Sequence, residues 1–158
     1  MGIHRCGVSK RMGWHIVNGQ SVGDWVAQRI VGGYFAERSQ AIGLERDGEL
    51  IAGVIYENFN HKTIWCHIAI ENRITPFYLA AIFDYPFNVA MTEKIIVSVS
   101  DSNEESKKLV QKMGFTEEAR IKDACVGGDM LFFTLSREKC RFIGDRYGKR
   151  LTRPASTT

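Results

Sequence analysis

Apolar positions along this chain change period several times, and each change marks an element. Trp14 and Ile16, ahead of the turn pair Asn18-Gly19, predict a short first strand. Val22, Trp25, Val26, Arg29 and Ile30 then fall at helical spacing. A helix capped by Ser21 and stopped at Gly32-Gly33 is expected, with this stripe against the core. Two runs follow, AIGLER and ELIAGVIYEN, separated by Asp47-Gly48. Both positions of so short a turn need positive φ, so the runs predict an antiparallel hairpin. Asn60 and His61 make a polar turn into TIWCHIAI. There Ile64, Cys66, Ile68 and Ile70 point to one face, and Trp65, His67 and Ala69 to the other.

The stretch from His61 to Phe115 reads strand, loop, helix, strand, helix, which is a βαβ unit with a second helix behind it. Thr75-Pro76 opens the first of these helices, Thr as N-cap and Pro at the first helical position, and Pro86 is expected to end or kink it near Tyr85. IIVSVS is the next strand. Ser102 with Glu105 predicts a capping box; Leu109, Val110 and Met113 give the second helix its apolar face; Gly114 closes it in the left-handed region, and Phe115 packs back. TEEARIKDA and MLFFTLS, around the turn VGGD, form a final hairpin. Units of this kind place ligands where a strand stops pairing and a helix N-terminus offers free N–H groups. Any chemistry is expected there.

Composition narrows the class. With 158 residues, 44% apolar and 25% charged, the chain suits one globular domain. No apolar run approaches the ~20 residues that span a bilayer, and the opening residues carry no signal-peptide block, so a cytoplasmic protein is expected. The four cysteines show no C-x-x-C spacing, which argues against a disulfide framework or zinc knuckle and for reduced thiols, Cys66 acting as a small buried hydrophobe. Charge is uneven: the last 22 residues carry +5 and the first dozen +3, leaving the body at −5. Residues 1–143 are read as one domain with a flexible leader over 1–12, followed by a basic flexible tail over 144–158. That tail is either a solvated end or a patch that meets phosphate, of a nucleotide or of nucleic acid.

The order strand-helix-strand-strand-strand-helix-strand-helix-strand-strand, together with Asn103-x-x-Ser106-x-x-Leu109-x-x-x-Met113-Gly114-Phe115, resembles the GNAT superfamily of N-acetyltransferases. FDYPFN, KIIVSVSDSN and GGDMLFFTLSREKCRF resemble a phage and prophage group within it. The resemblance covers roughly residues 12 to 143. It implies an α/β fold of three layers, with a central mixed, mostly antiparallel sheet of about seven strands flanked by helices. It also implies acetyl-CoA as co-substrate and an amine as acceptor, attacked directly without a covalent enzyme intermediate. Two positions depart from the family pattern. The pyrophosphate loop (Q/R)-x-x-G-x-(G/A) corresponds to Arg73-Ile74-Thr75-Pro76-Phe77-Tyr78, which keeps Arg73 and lacks both glycines. Val110 stands where many members carry a Tyr that protonates the departing thiolate.

On that resemblance, the backbones of Ile68 and Ile70 pair with the pantetheine arm as an added strand would. Asn103 matches the position that holds this arm, and as a helix-start residue it is also a cap. Arg73, Thr75 and Ser106 complete the expected cofactor contacts. Imidazole titrates near neutrality, so His67 suits removal of an ammonium proton, directly or through water. It equally reads as a strand histidine bonded for structural reasons. Glu71 is a second base candidate or a solvated carboxylate. Asp84, Tyr56 and Asp129 read as ordinary surface or hairpin residues, and no metal ligands are expected. A GNAT-like fold serving as a binding module for a host partner, or nucleic-acid binding through the tail, are the rival functions. No membrane partner is expected, and a homodimer stays open.

Overall fold

The computed structural model describes residues 12–30, 33–145 and 147; residues 1–11 of the expected leader, and all of the expected tail except 144, 145 and 147, lie outside the described residues. Seven strands form one sheet: β1 (Trp14–Asn18), β2 (Gln40–Arg46), β3 (Glu49–Glu57), β4 (Thr63–Ile70), β5 (Lys94–Ser100), β6 (Thr116–Cys125) and β7 (Gly128–Ser136), in spatial order β1-β2-β3-β4-β5-β7-β6. The helices are α1 (Gln20–Ala27), α2 (Pro76–Asp84) and α3 (Glu104–Lys112). All strand pairs are antiparallel except β4–β5. The α/β class and the mixed, mostly antiparallel seven-stranded sheet are as expected.

Local chemistry explains most boundaries. Asp47 and Gly48 both take positive φ, 53° and 82°, and hold the β2–β3 hairpin. Asn60 accepts from the backbone N–H groups of Lys62 and Thr63, which turns the chain into β4. Thr75 caps α2 through a 3.1 Å bond from Tyr78 N–H. Pro86 cannot donate to the helical ladder. Instead of stopping, the chain widens into a π turn over Tyr85–Val89, with Ala90 N–H bonded to Tyr85 O.

Three expectations are corrected. α1 begins at Gln20, with Gly19 rather than Ser21 at its N-cap. It ends at Ala27, short of Arg29 and Ile30: the Arg29 backbone N–H bonds Val26 O in a tighter turn, while its guanidinium donates to Trp25 O and lies over the Trp25 ring. Asn103, not Ser102, caps α3: its Oδ1 accepts from Ser106 N–H at 3.1 Å, so the helix starts one residue later than a Ser102–Glu105 box requires. Tyr56 is no surface residue; it is 2% exposed, and its hydroxyl donates to Ile82 O at the back of α2.

The sheet buries both faces unequally. On one face, α2 and α3 cover a large core in which Tyr56, Cys66, Phe83, Val97, Val110 and Phe133 meet. Phe83 stacks on Phe142 at 4.8 Å, Phe142 takes Tyr147 edge-on, and Phe115 tilts against Phe83. On the other face, α1 packs over β1–β4 around Val22, Val26, Ala41, Ile55 and Ala69. Gly43 and Gly53 face each other across β2–β3 and make that seat flat: a Cβ on Gly53 would come within 2.5 Å of Val26. Farther along this face, Trp65, Ile96, Met130 and Phe132 stay half-buried, and Trp65 meets Phe132 edge-on at 5.6 Å.

Candidate functional site

β4 and β5 run parallel, so both deliver their C-terminal ends to the same edge of the sheet. They pair only at Thr63–Lys94, Ile64–Ile95 and Trp65–Ile96. Beyond Trp65, β4 stays in register with β3 as far as Ile70, and β5 stays with β7 as far as Ser100. The two strands therefore part into a cleft. Backbone groups alternate sides along a strand. Thr63 O and Glu71 N–H bond on the β3 side, while Lys62 O accepts from Glu93 on the β5 side. The odd residues of β4 thus turn toward β3, and Ile68 and Ile70 turn their N–H and C=O groups into the cleft, where β5 supplies no partner. A β-strand with an unpaired edge is a template for an extended, amide-bearing ligand.

Two strand-to-helix junctions flank this cleft. At the β4–α2 junction, Thr75 satisfies Tyr78 N–H and also accepts Leu79 N–H through its carbonyl. Pro76 brings no donor, which leaves Phe77 N–H as the first-turn donor without a partner among the described residues. Arg73 is exposed; its backbone N–H is held by Asn72 Oδ1 at 2.7 Å, and its guanidinium makes no bond to any described residue. At the β5–α3 junction, Glu104 and Glu105 occupy the first turn. Lys107 bridges Glu104 and Asp101 at 2.7 and 3.2 Å, and Arg120 bridges Asp101 and Asp129 at 3.3 and 3.0 Å. Lys107, with Arg120 beyond it, holds the Asp101 carboxyl below its ordinary range, and the Asp123 backbone N–H does the same for Asp129. Asp129 is thus a hairpin residue that also joins this network. Ser106 is half-buried beside its bond to Asn103, whose Nδ2 is without a partner among the described residues.

His67 lies on the α1 face, opposite Ile68. Its Nε2 sits 2.7 Å from Glu57 Oε1, both side chains about a quarter exposed at 22% and 25%. Register explains the contact: Ile55 is directly opposite His67 and Glu57 opposite Trp65, so Glu57 is the diagonal neighbour on the same face. Sequence reasoning missed Glu57. Counting the hairpin register back from Asn60 was the signal that finds it. Glu71, the second base candidate, forms a 2.6 Å ion pair with Arg29 Nε. Burial raises the thiol of Cys66 far above its ordinary value and raises that of Cys140, so neither is poised as a nucleophile. Val110 is buried in the core, and α3 carries no tyrosine.

No protein-family model matches this chain, and no curated protein matches it. Solved structures do. A chimera of the spermidine N-acetyltransferase SpeG from Vibrio cholerae superposes with a TM-score of 0.66 at 14% identity, over 83% of this chain and 99% of that one. The N-acetyltransferase PseH from Campylobacter jejuni, in complex with acetyl coenzyme A, gives 0.51 at 17% identity over 63% of this chain and 69% of that one. Ribosomal-protein-S5-alanine acetyltransferase from Vibrio fischeri gives 0.56 at 15%, over 66% and 65%. At such identities the likeness is one of fold: the seven-stranded mixed sheet flanked by helices matches these solved acetyltransferase structures.

Proposed function

We propose that this protein is an acetyl-CoA-dependent N-acetyltransferase. The observation that carries the reading is the parting of β4 from β5, which leaves the backbone groups of Ile68 and Ile70 facing a cleft with no strand to fill it. The pantetheine arm, with its two amides, has the length and hydrogen-bonding pattern of a short strand and pairs there. Arg73 and the Phe77 N–H at the N-terminus of α2 receive the pyrophosphate, where the helix dipole favours negative charge. Asn103 contacts the arm through Nδ2, and its Oδ1 caps α3. Thr75 acts as the cap that fixes this junction, and Ser106 lines it from α3.

His67 removes a proton from an ammonium acceptor, and the free amine attacks the thioester carbonyl, polarised by strand-edge amides. The C–N bond forms, the C–S bond breaks and CoA leaves as thiolate. Thiolate is a tolerable leaving group, so the absence of a tyrosine from α3 slows its release without forbidding it. Glu71, ion-paired with Arg29 at 2.6 Å, steadies the junction and is the second candidate base. The solved complex of PseH with acetyl coenzyme A supports the choice of cofactor. On the resemblance of FDYPFN, KIIVSVSDSN and GGDMLFFTLSREKCRF to a phage and prophage group, we assign the chain to that group and its reaction to the cytoplasm. Titration calorimetry with acetyl-CoA tests the reading. Saturable binding is expected, and no heat at millimolar cofactor overturns it.

A further inference from the structure

The contact between Glu57 and His67 has a chemical direction. An ionised carboxylate only accepts hydrogen bonds, so at 2.7 Å the hydrogen between them belongs to Nε2 of the imidazole. That fixes the neutral ring as the Nε2–H tautomer and leaves the lone pair on Nδ1. Nδ1 has no bonding partner among the described residues, and no other charged group of those residues lies within bonding distance of the ring. Asp24 of α1 bonds Gln20, Arg29 pairs with Glu71, and Lys94 of β5 pairs with Glu118. On the same face beside it, Trp65 and Phe132 form a half-buried apolar wall.

We propose that Glu57 is a positioning residue for acetyl transfer: it holds His67 in the tautomer and orientation that present Nδ1 as base to an ammonium acceptor approaching along the α1 face of the sheet. This rests on the acetyltransferase reading above. Cofactor and acceptor then reach the reacting carbon from opposite faces of the parted strands, the arm beside Ile68 and Ile70, the amine beside His67. One ammonium proton passes to Nδ1. The amine lone pair forms the C–N bond as the C–S bond breaks, and the thiolate takes the second proton on release. The Glu57 carboxylate, still ionised, offsets the charge of the imidazolium while it exists. The apolar wall of Trp65 and Phe132 suits an acceptor with a hydrocarbon portion next to its amine.

The test compares Glu57→Gln, His67→Gln and the double variant in the full-length protein. Acetyl-CoA turnover is read as free CoA thiol, with a panel of primary alkylamines and water as acceptors. Glu57→Gln is expected to lower kcat roughly tenfold or more while leaving the KM for acetyl-CoA within about twofold. In the His67→Gln background the same change is expected to matter less than about twofold, because the two residues act as one unit. Glu57→Asp, which keeps the charge, recovers part of the rate and serves if the Gln variant does not fold. Equal losses in both backgrounds, or no loss at all, overturn the role of Glu57 while leaving the enzyme reading standing. Calorimetric absence of acetyl-CoA binding in the unaltered protein overturns both.

Discussion

The two strand-to-helix junctions at the open edge of the sheet are built alike and charged oppositely. Each has a side-chain oxygen that caps the helix three residues on, Thr75 to Tyr78 and Asn103 to Ser106, both at 3.1 Å. After β5, however, Asp101, Glu104, Glu105 and Asp129 crowd the helix start, and Lys107 and Arg120 are consumed in bridging them. After β4, one exposed arginine stands without a partner among the described residues, and Glu71 is already tied to Arg29. An anion gains from the dipole at either helix, but only the β4–α2 junction adds free positive charge. Capping sets where a helix starts; the residues around the cap set what it attracts.

The contrast breaks most severely if the core that clamps both helices is opened. Phe83 of α2 packs against Phe115, just past α3, and stacks on Phe142. Phe83→Ala is expected to cost about 3–5 kcal/mol in urea unfolding, the usual scale for a buried phenylalanine. A loss under about 1 kcal/mol would mean the junctions are held independently. Next in size is the charge itself. Arg73→Ala is expected to weaken CoA binding about tenfold or more with no change in melting temperature, since a charge-assisted bond contributes about 1.5–3 kcal/mol. Arg120→Ala should leave CoA affinity unaltered; the reverse outcome moves the phosphate site to the other junction. The caps should then prove equal. Thr75→Ala and Asn103→Ala are each expected to cost about 1 kcal/mol of stability, and a large disparity would put the difference in the caps and not the charges.

The smallest effect is acidic. The Asp101 and Asp129 carboxyls are held below the ordinary value of 3.8 in the folded chain. A depressed folded-state pKa stabilises above the unfolded value, and that contribution is lost as pH falls through the lowered one. Amide exchange followed from pH 5 to 3 should therefore show the α3 junction loosening below about pH 4 before the α2 junction does. Arg120→Ala should shrink that difference.

The fold was readable because its signals are local. Asp47-Gly48, Thr75-Pro76 and Gly114-Phe115 each dictate backbone geometry with their own side chains or lack of them, and each sits where expected. Errors came where two neighbours compete for one role. Ser102 and Asn103 are both good caps, and only the path of the chain out of β5 selects Asn103. Tyr56 looked like a surface residue because a strand pattern says which residues share a face, not which face a helix will cover. The site was less legible for the same reason. That Ile68 and Ile70 face a cleft depends on where β5 stops following β4, and the Glu57–His67 contact depends on register across a hairpin. Neither is written within a single segment.

The central claim is that acetyl-CoA completes the edge of β4. Hydrogen exchange at the individual amides of Ile68 and Ile70, with and without saturating acetyl-CoA, tests it most directly. Exchange at both is expected to slow at least about tenfold. Unchanged exchange at Ile68 and Ile70 in cofactor-saturated protein would contradict the account.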